Sequence, residues 1–135
     1  MGRGFVQGIG LKKGALASTI GHDSHNIMVL GVSDDDMQQA VEVIAEQQGG
    51  IAVVADGKLL ANLNLEVGGL MSERDAEFVA DSFSKLLEAA HACGVLIEDP
   101  FMFMSFLALP VIPHLKITDL GLVDVDIFSH VGLWI

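Results

Sequence analysis

Apolar residues recur every three or four positions in two parts of the chain, which is the spacing of a helix with one buried face. The first part follows Ser33, which can cap a helix, and three aspartates stand at the positive end of the helix dipole. Gly49-Gly50 is expected to end this helix. The predicted buried stripe is Met37, Ala40, Val41, Ile44 and Ala45.

The second helical pattern is longer. Ser72 is expected to cap this helix, which continues to Cys93 before Gly94 ends it. His91 and Cys93 lie in its last turn, but residues two apart on a helix do not face each other. A catalytic Cys-His pair is therefore not expected there.

Runs typical of strands surround these helices. Residues 4–20 are interpreted as strands, and the apolar run 27–32 as a strand covered on both faces. Residues 51–55 and 59–65 form a predicted hairpin about Asp56-Gly57. Short strands are expected after residue 117.

The succession of strands, helix, hairpin, long helix and short strands predicts a single α+β domain over residues 1–135. Its two main helices are expected to be layered on a mixed, mostly antiparallel β-sheet. The strongly apolar stretch 101–110 carries two methionines. It is interpreted either as core or as a surface docked on a part that is absent from this chain.

Composition narrows the possible partners. The formal net charge of −11 makes nucleic acid and anionic membrane surfaces improbable ligands, because both repel such a chain. One cysteine allows no internal disulfide, and neither a signal peptide nor a membrane-spanning run is visible. We therefore expect a cytoplasmic protein. Half of the residues are hydrophobic and the mean hydropathy is +0.52, which predicts an apolar face covered either by another chain, as in a homo-oligomer, or by a missing domain.

Candidate chemistry is concentrated in one motif, His22-Asp23-Ser24-His25, which is followed by Asn26. On an extended strand the two histidines would point to opposite faces, whereas in a tight loop they could converge on a metal ion. Asp23 could then be a third ligand or orient an imidazole. The alternative is a polar hairpin tip whose side chains satisfy local backbone groups.

The rest of the chain does not complete a metal site of this kind. His91, His114 and His130 are isolated, and the sequence contains neither H-E-x-x-H nor the H-x-E and P-C-x-x-C pair of zinc deaminases. A hydrolytic metal site needs three or more protein ligands. This chain alone is therefore expected to be catalytically incomplete.

Several long motifs resemble the C-terminal domain of bacterial and archaeal adenine deaminases, in the amidohydrolase superfamily. The resemblance covers nearly the whole chain. Its motifs are GFVQGIGLKKGALASTI at 4–20, HDSHNI at 22–27, GGLMS at 68–72, EDPFM at 98–102, SFLALPVIP at 105–113 and LKITDLGLVDV at 115–125.

The resemblance implies hydrolysis of adenine to hypoxanthine and ammonia in purine salvage. It also implies a divalent metal, Mn or Fe or else Zn, held by histidines and an aspartate of a (β/α)-barrel that this chain lacks. His22, Asp23 and His25 are then expected to approach the metal centre or the purine as an active-site loop. Ser24 and Asn26 are candidate substrate contacts, and either His22 or His25 is a possible metal ligand.

Under this interpretation the chain docks on the catalytic barrel and is inactive without it. The alternative is a stand-alone, non-catalytic binding or assembly module derived from the same domain.

Overall fold

A four-stranded antiparallel sheet lies between helices on its two faces. The computed structural model describes residues 1–134. The strands are β1 (Ala15–Ser18), β2 (Met28–Gly31), β3 (Gly50–Ala55) and β4 (Lys58–Asn64), in the order β2-β1-β3-β4. The helices are α1 (Asp34–Glu46), α2 (Ala76–Ala92) and α3 (Pro100–Leu107). A second antiparallel sheet consists of β5 (Leu115–Thr118), β6 (Gly121–Asp124) and β7 (Ser129–Val131).

Neighbouring residues along β1 and β3 point to opposite sides of the larger sheet. The helices therefore pack against different strand residues on its two faces. One face carries small residues that pack against Ala40 and Ile44 of α1; they are Ala15, Ala17, Ala52 and Val54. The other face carries larger residues, and α2 and α3 pack on it. Its buried strand residues are Leu16, Ile51, Val53, Ala55 and Leu63.

The α+β prediction is confirmed, and so are its most local features. Ser33 caps α1, because its Oγ accepts a hydrogen bond from the Asp36 N–H at 3.3 Å. Asp56-Gly57 joins β3 to β4 as the predicted hairpin. Every strand pairing within residues 1–134 is antiparallel, so the mixed character expected for the sheet is absent there.

The predicted start of α2 was wrong. Asp75 caps this helix, since its carboxylate accepts a hydrogen bond from the Phe78 N–H at 2.8 Å. Ser72 instead donates from its hydroxyl to the Glu66 carboxylate at 3.1 Å. Both residue types can cap a helix, but the Ser72 hydroxyl also accepts a hydrogen bond from the Arg74 N–H at 3.3 Å and so is engaged in the loop before α2.

Four further expectations differ from the structure. Within residues 4–20 the strand spans only Ala15–Ser18. The run 27–32 is not covered on both faces, because Val29 is exposed; its strand, β2, lies at the edge of the sheet. Residues 100–107 form α3, a helix that was not predicted. Among the stripe residues of α1, Ala45 is exposed.

No helix within residues 1–134 combines the length and the apolar character that crossing a bilayer requires.

Candidate functional site

The His-Asp-Ser-His motif lies in the loop that joins β1 to β2, as the sequence predicted. The two strands pair antiparallel, and Ser18 opposite Met28 is the last pair before the loop opens. We call residues 19–27 the His-Asp-Ser-His loop. All five candidate residues, 22–26, are exposed at its tip.

The base of this loop is fixed by a buried hydroxyl. Thr19 Oγ1 donates a hydrogen bond to the Gly69 carbonyl at 2.5 Å and accepts one from the Gly50 N–H at 2.9 Å. The Thr19 N–H donates to the Gly50 carbonyl at 3.0 Å. Thr19 therefore joins the loop to the start of β3 and to the Gly68-Gly69 turn.

A carboxylate stands at the far end of that turn. Glu66 accepts hydrogen bonds from the Ser72 hydroxyl and from the Glu73 N–H. The pKa of Glu66 is held below its usual value, first by its own backbone amide and next by that of Glu73. Glu66 therefore stays ionised and organises the approach to α2.

His25 has a defined tautomer, because its Nδ1 accepts a hydrogen bond from the Gly21 N–H at 3.2 Å. A backbone N–H can only donate, so the Nδ1 lone pair is occupied and a neutral ring carries its proton on Nε2. Gly21 is needed for this approach: an added Cβ would lie 2.9 Å from the Ser24 carbonyl oxygen. The loop thus presents His25 as a hydrogen-bond donor at Nε2.

His22 has a different environment. Its ring packs on that of Phe106 of α3, with centroids 4.2 Å apart and planes inclined by 37°. The two histidines of the motif are therefore engaged separately, one with α3 and the other with the loop backbone. Asp23 and Ser24 lie between them at the exposed tip, and the Asn26 N–H donates to the Ser24 carbonyl at 2.8 Å.

The metal-binding interpretation needs three converging ligands. Across residues 1–134, no three His, Cys, Asp or Glu side chains lie close enough to share an ion. The occupied Nδ1 of His25 also leaves a neutral ring without a lone pair at its exposed nitrogen. The residues of this chain, as arranged, do not fit a metal centre of their own.

His91 and Cys93 do not form a pair in the structure. The His91 ring nitrogen Nε2 lies 3.0 Å from the Ile97 carbonyl, and Cys93 is buried. Burial raises the pKa of the Cys93 thiol, so this group is a protonated core residue at neutral pH.

Sequence reasoning missed Thr19 and Phe106 as parts of the site, and it treated Gly21 only as a turn-forming residue. Thr19 and Gly21 border the motif, but their contacts with Gly69 and with His25 depend on how the loop folds. Phe106 lies far along the chain, on the helix that was not predicted. The apolar stretch that contains Phe106 shows no period, so Asp99-Pro100, a cap followed by proline at the first helical position, is the signal that could have indicated its helix.

The chain is an α+β domain whose candidate residues are exposed in one surface loop. Within residues 1–134 it holds no metal-binding cluster of its own. Residues 1–129 match the family described as the adenine deaminase C-terminal domain. The chain belongs to this family, which confirms the resemblance seen in the sequence.

Curated relatives agree with this assignment. Over 129 residues the chain is 58% identical to adenine deaminase 1 of Rhizobium meliloti and 56% identical to adenine deaminase 1 of Rhizobium johnstonii. It is 55% identical to the adenine deaminase of Brucella abortus. Each match covers 96% of this chain but only 22–23% of the relative, so the chain spans less than a quarter of their length.

Proposed function

We propose that this chain acts as the C-terminal domain of a metal-dependent adenine deaminase, which converts adenine and water to hypoxanthine and ammonia in cytoplasmic purine salvage. In this proposal the His-Asp-Ser-His loop completes an active site whose catalytic barrel belongs to the remaining length of the relatives. The observation that carries it is the loop itself: residues 22–26 are all exposed, although the base of the loop is fixed by buried hydrogen bonds. A fixed base and an exposed tip suit a loop that enters a neighbouring site.

His25 is the residue to which we assign the most specific role. Its Nε2–H is directed by the Gly21 contact and can donate to an acceptor atom of the purine or of the attacking water. A divalent ion, Mn or Fe or else Zn, would be held by residues outside this chain, since the donors here do not fit one. Asp23, Ser24 and Asn26 would contact the substrate or its surroundings from the same loop.

Exposed apolar residues on α3 and in the segment that follows it support docking on the barrel. Met102 on α3 is 51% exposed, and Val111 and Ile112 follow that helix as exposed residues. Leaving such residues in water is unfavourable, by roughly 25 cal/mol for each Å² of apolar area. We propose that the barrel, and in an oligomer a second subunit, covers them.

The test uses a chimera in which this chain replaces the matching segment of Rhizobium meliloti adenine deaminase 1, where identity is 58%. His25→Ala should lower kcat/KM for adenine by roughly 100-fold, the effect of removing one donor to a developing charge. His25→Gln should recover part of the loss, because its amide nitrogen can take the place of Nε2. Bound metal should stay unchanged in both variants.

His91→Ala is the matched control, because His91 is also exposed but lies at the end of α2. It should leave kcat/KM within about twofold of the parent chimera. Unchanged kinetics and metal content in His25→Ala would reject the active-site role. Loss of metal in that variant would instead make His25 a ligand and reject the donor role.

A second arm addresses docking. The chain is mixed with a truncated relative that lacks the matching segment, and deamination of adenine is measured with added Mn or Fe. Recovery of activity supports domain complementation. An inactive mixture in which the chain forms a stable oligomer supports the alternative, a stand-alone assembly module.

A further inference from the structure

The contact between His22 and Phe106 connects the loop to α3. We propose that Phe106 is a positioning residue: its ring holds His22, and through it the Gly21–His25 hydrogen bond, in the arrangement that directs His25 Nε2 outward. This inference rests on the proposed active-site role of the loop.

The first part of the argument is that α3 is a firm support. Asp99 caps the helix by accepting hydrogen bonds from the Phe101 and Met102 N–H groups at 3.0 and 2.9 Å. Phe101 and Met104 are buried in the main core, and the Phe101 ring packs on Phe83 with centroids 5.9 Å apart. A helix held by its cap and by two core side chains can fix what packs on its other side.

The second part is that Phe106 points away from that core. Phe106 is 41% exposed, whereas Phe101 and Met104 are 5% and 2% exposed. A phenyl ring left this accessible contributes less to the core than a buried one, so its contact with His22 is the feature to explain. Packing of the hydrophobic core therefore does not explain where the Phe106 ring lies.

The third part is the path from His22 to His25. Gly21 and His22 are consecutive, so a fixed His22 ring restricts the peptide that precedes it. The Gly21 N–H is the donor to His25 Nδ1. With the Thr19 hydrogen bonds at the base and Phe106 at the tip, the loop is held at two points on either side of this donor.

Aromatic pairs contribute enough to stability to change a loop population by roughly 2- to 12-fold, which is the size of effect expected here. In the chimera, Phe106→Leu should lower kcat/KM by about that factor, and Phe106→Tyr, which keeps the ring, should restore it. His22→Ala should cause a similar loss. The double variant should be no worse than the worse single variant, because both substitutions remove one contact.

Phe128→Leu is the matched control, since Phe128 is an exposed phenylalanine between β6 and β7. Its kcat/KM should equal that of the parent chimera. The contact itself is measured in this chain by NMR: the His22 ring protons should be shifted by the Phe106 ring current. Phe106→Leu should move these signals to the positions of an exposed histidine, and Phe106→Tyr should not.

The outcomes separate this inference from the function on which it rests. If His25→Ala lowers kcat/KM but Phe106→Leu has no effect, or if the effects of Phe106→Leu and His22→Ala multiply, Phe106 is not a positioning residue. Absence of the ring-current shift in the parent chain also overturns the inference. If His25→Ala itself is silent, the proposed active-site role fails, and the positioning role fails with it.

Discussion

The hydroxyl of Thr19 bonds to the carbonyl of Gly69, 50 residues further along the chain, at 2.5 Å. The same oxygen accepts a hydrogen bond from the Gly50 N–H. One side chain thus joins the His-Asp-Ser-His loop to the start of β3 and to the Gly68-Gly69 turn, both distant in sequence.

Thr19→Val keeps the shape of this side chain but removes its hydrogen bonds. The buried Gly50 N–H and Gly69 carbonyl then lose a partner, so the free energy of unfolding should fall by about 1–3 kcal/mol. Urea unfolding measures the change, and Thr19→Ser should retain most of the stability. Thr118→Val, the same substitution in the turn between β5 and β6, should cost less because that turn is less buried. Equal losses at both sites would show that Thr19 has no special structural role.

The approach of Gly49 to Gly69 predicts a steric effect. A Cβ at Gly49 would lie 2.3 Å from the Gly69 Cα, and Gly49 has φ +134°. Gly49→Ala should therefore lower the free energy of unfolding by roughly 3 kcal/mol or more. Gly68→Ala provides the comparison, since φ is +64° there but no atom lies within 4 Å of an added Cβ. Gly68→Ala should lower the free energy of unfolding by only about 1–2 kcal/mol. Thermal melts of both variants decide whether close packing adds to backbone strain.

The observed start of α2 can be checked by substituting both candidate caps. Asp75→Ala removes the acceptor for the Phe78 N–H and should cost about 1 kcal/mol of stability. Ser72→Ala removes two exposed hydrogen bonds outside the helix, one to the Glu66 carboxylate and one from the Arg74 N–H, so the loss of stability should stay within about 0.5 kcal/mol. A larger loss in Ser72→Ala than in Asp75→Ala, measured by chemical denaturation, would place the helix start where the sequence first suggested.

Because the pKa of Cys93 is raised, the free energy of unfolding should depend on pH in the alkaline range. Once the unfolded thiol ionises, above about pH 8.5, folding must return a proton to the buried group. The free energy of unfolding should therefore fall as pH rises beyond this value, by up to about 1.4 kcal/mol per pH unit. Near pH 7 the thiol contributes almost no slope, because the unfolded thiol is then almost fully protonated.

Cys93→Ala is the reference for this measurement, because it removes the thiol and leaves other titrating groups in place. Urea unfolding of the two proteins between pH 7 and 10 should give parallel curves at the lower end that diverge at the upper end. Curves that stay parallel throughout would contradict a buried, protonated thiol.

Local signals predicted the elements whose ends are set by neighbouring residues. Ser33 before three aspartates defined the start of α1, and Asp56-Gly57 defined the turn of the hairpin, because caps and tight turns act over a few residues. The short helix α3 was missed because its continuous apolar sequence hides any period. Asp99-Pro100, a cap followed by proline at the first helical position, was the available signal.

The candidate site divides in the same way. The motif was visible because His22, Asp23 and His25 are neighbours in sequence. The contacts of the two histidines were not visible in the sequence. One histidine packs on a residue of α3, and the other bonds to a glycine whose position depends on how the loop folds. The edge position of β2 was equally hidden, because strand order is a property of the whole sheet.

The hydrogen bond from Gly21 to His25 also makes the His25 ring less reactive towards electrophiles than other exposed histidines. His91 and His130 each contact a carbonyl oxygen, so the contacting nitrogen donates and the other keeps its lone pair. His25 is the reverse case, because its lone pair is already shared with an N–H. Electrophiles such as acylating reagents attack that lone pair. In the folded chain His91 and His130 should therefore be acylated before His25, although all three are exposed.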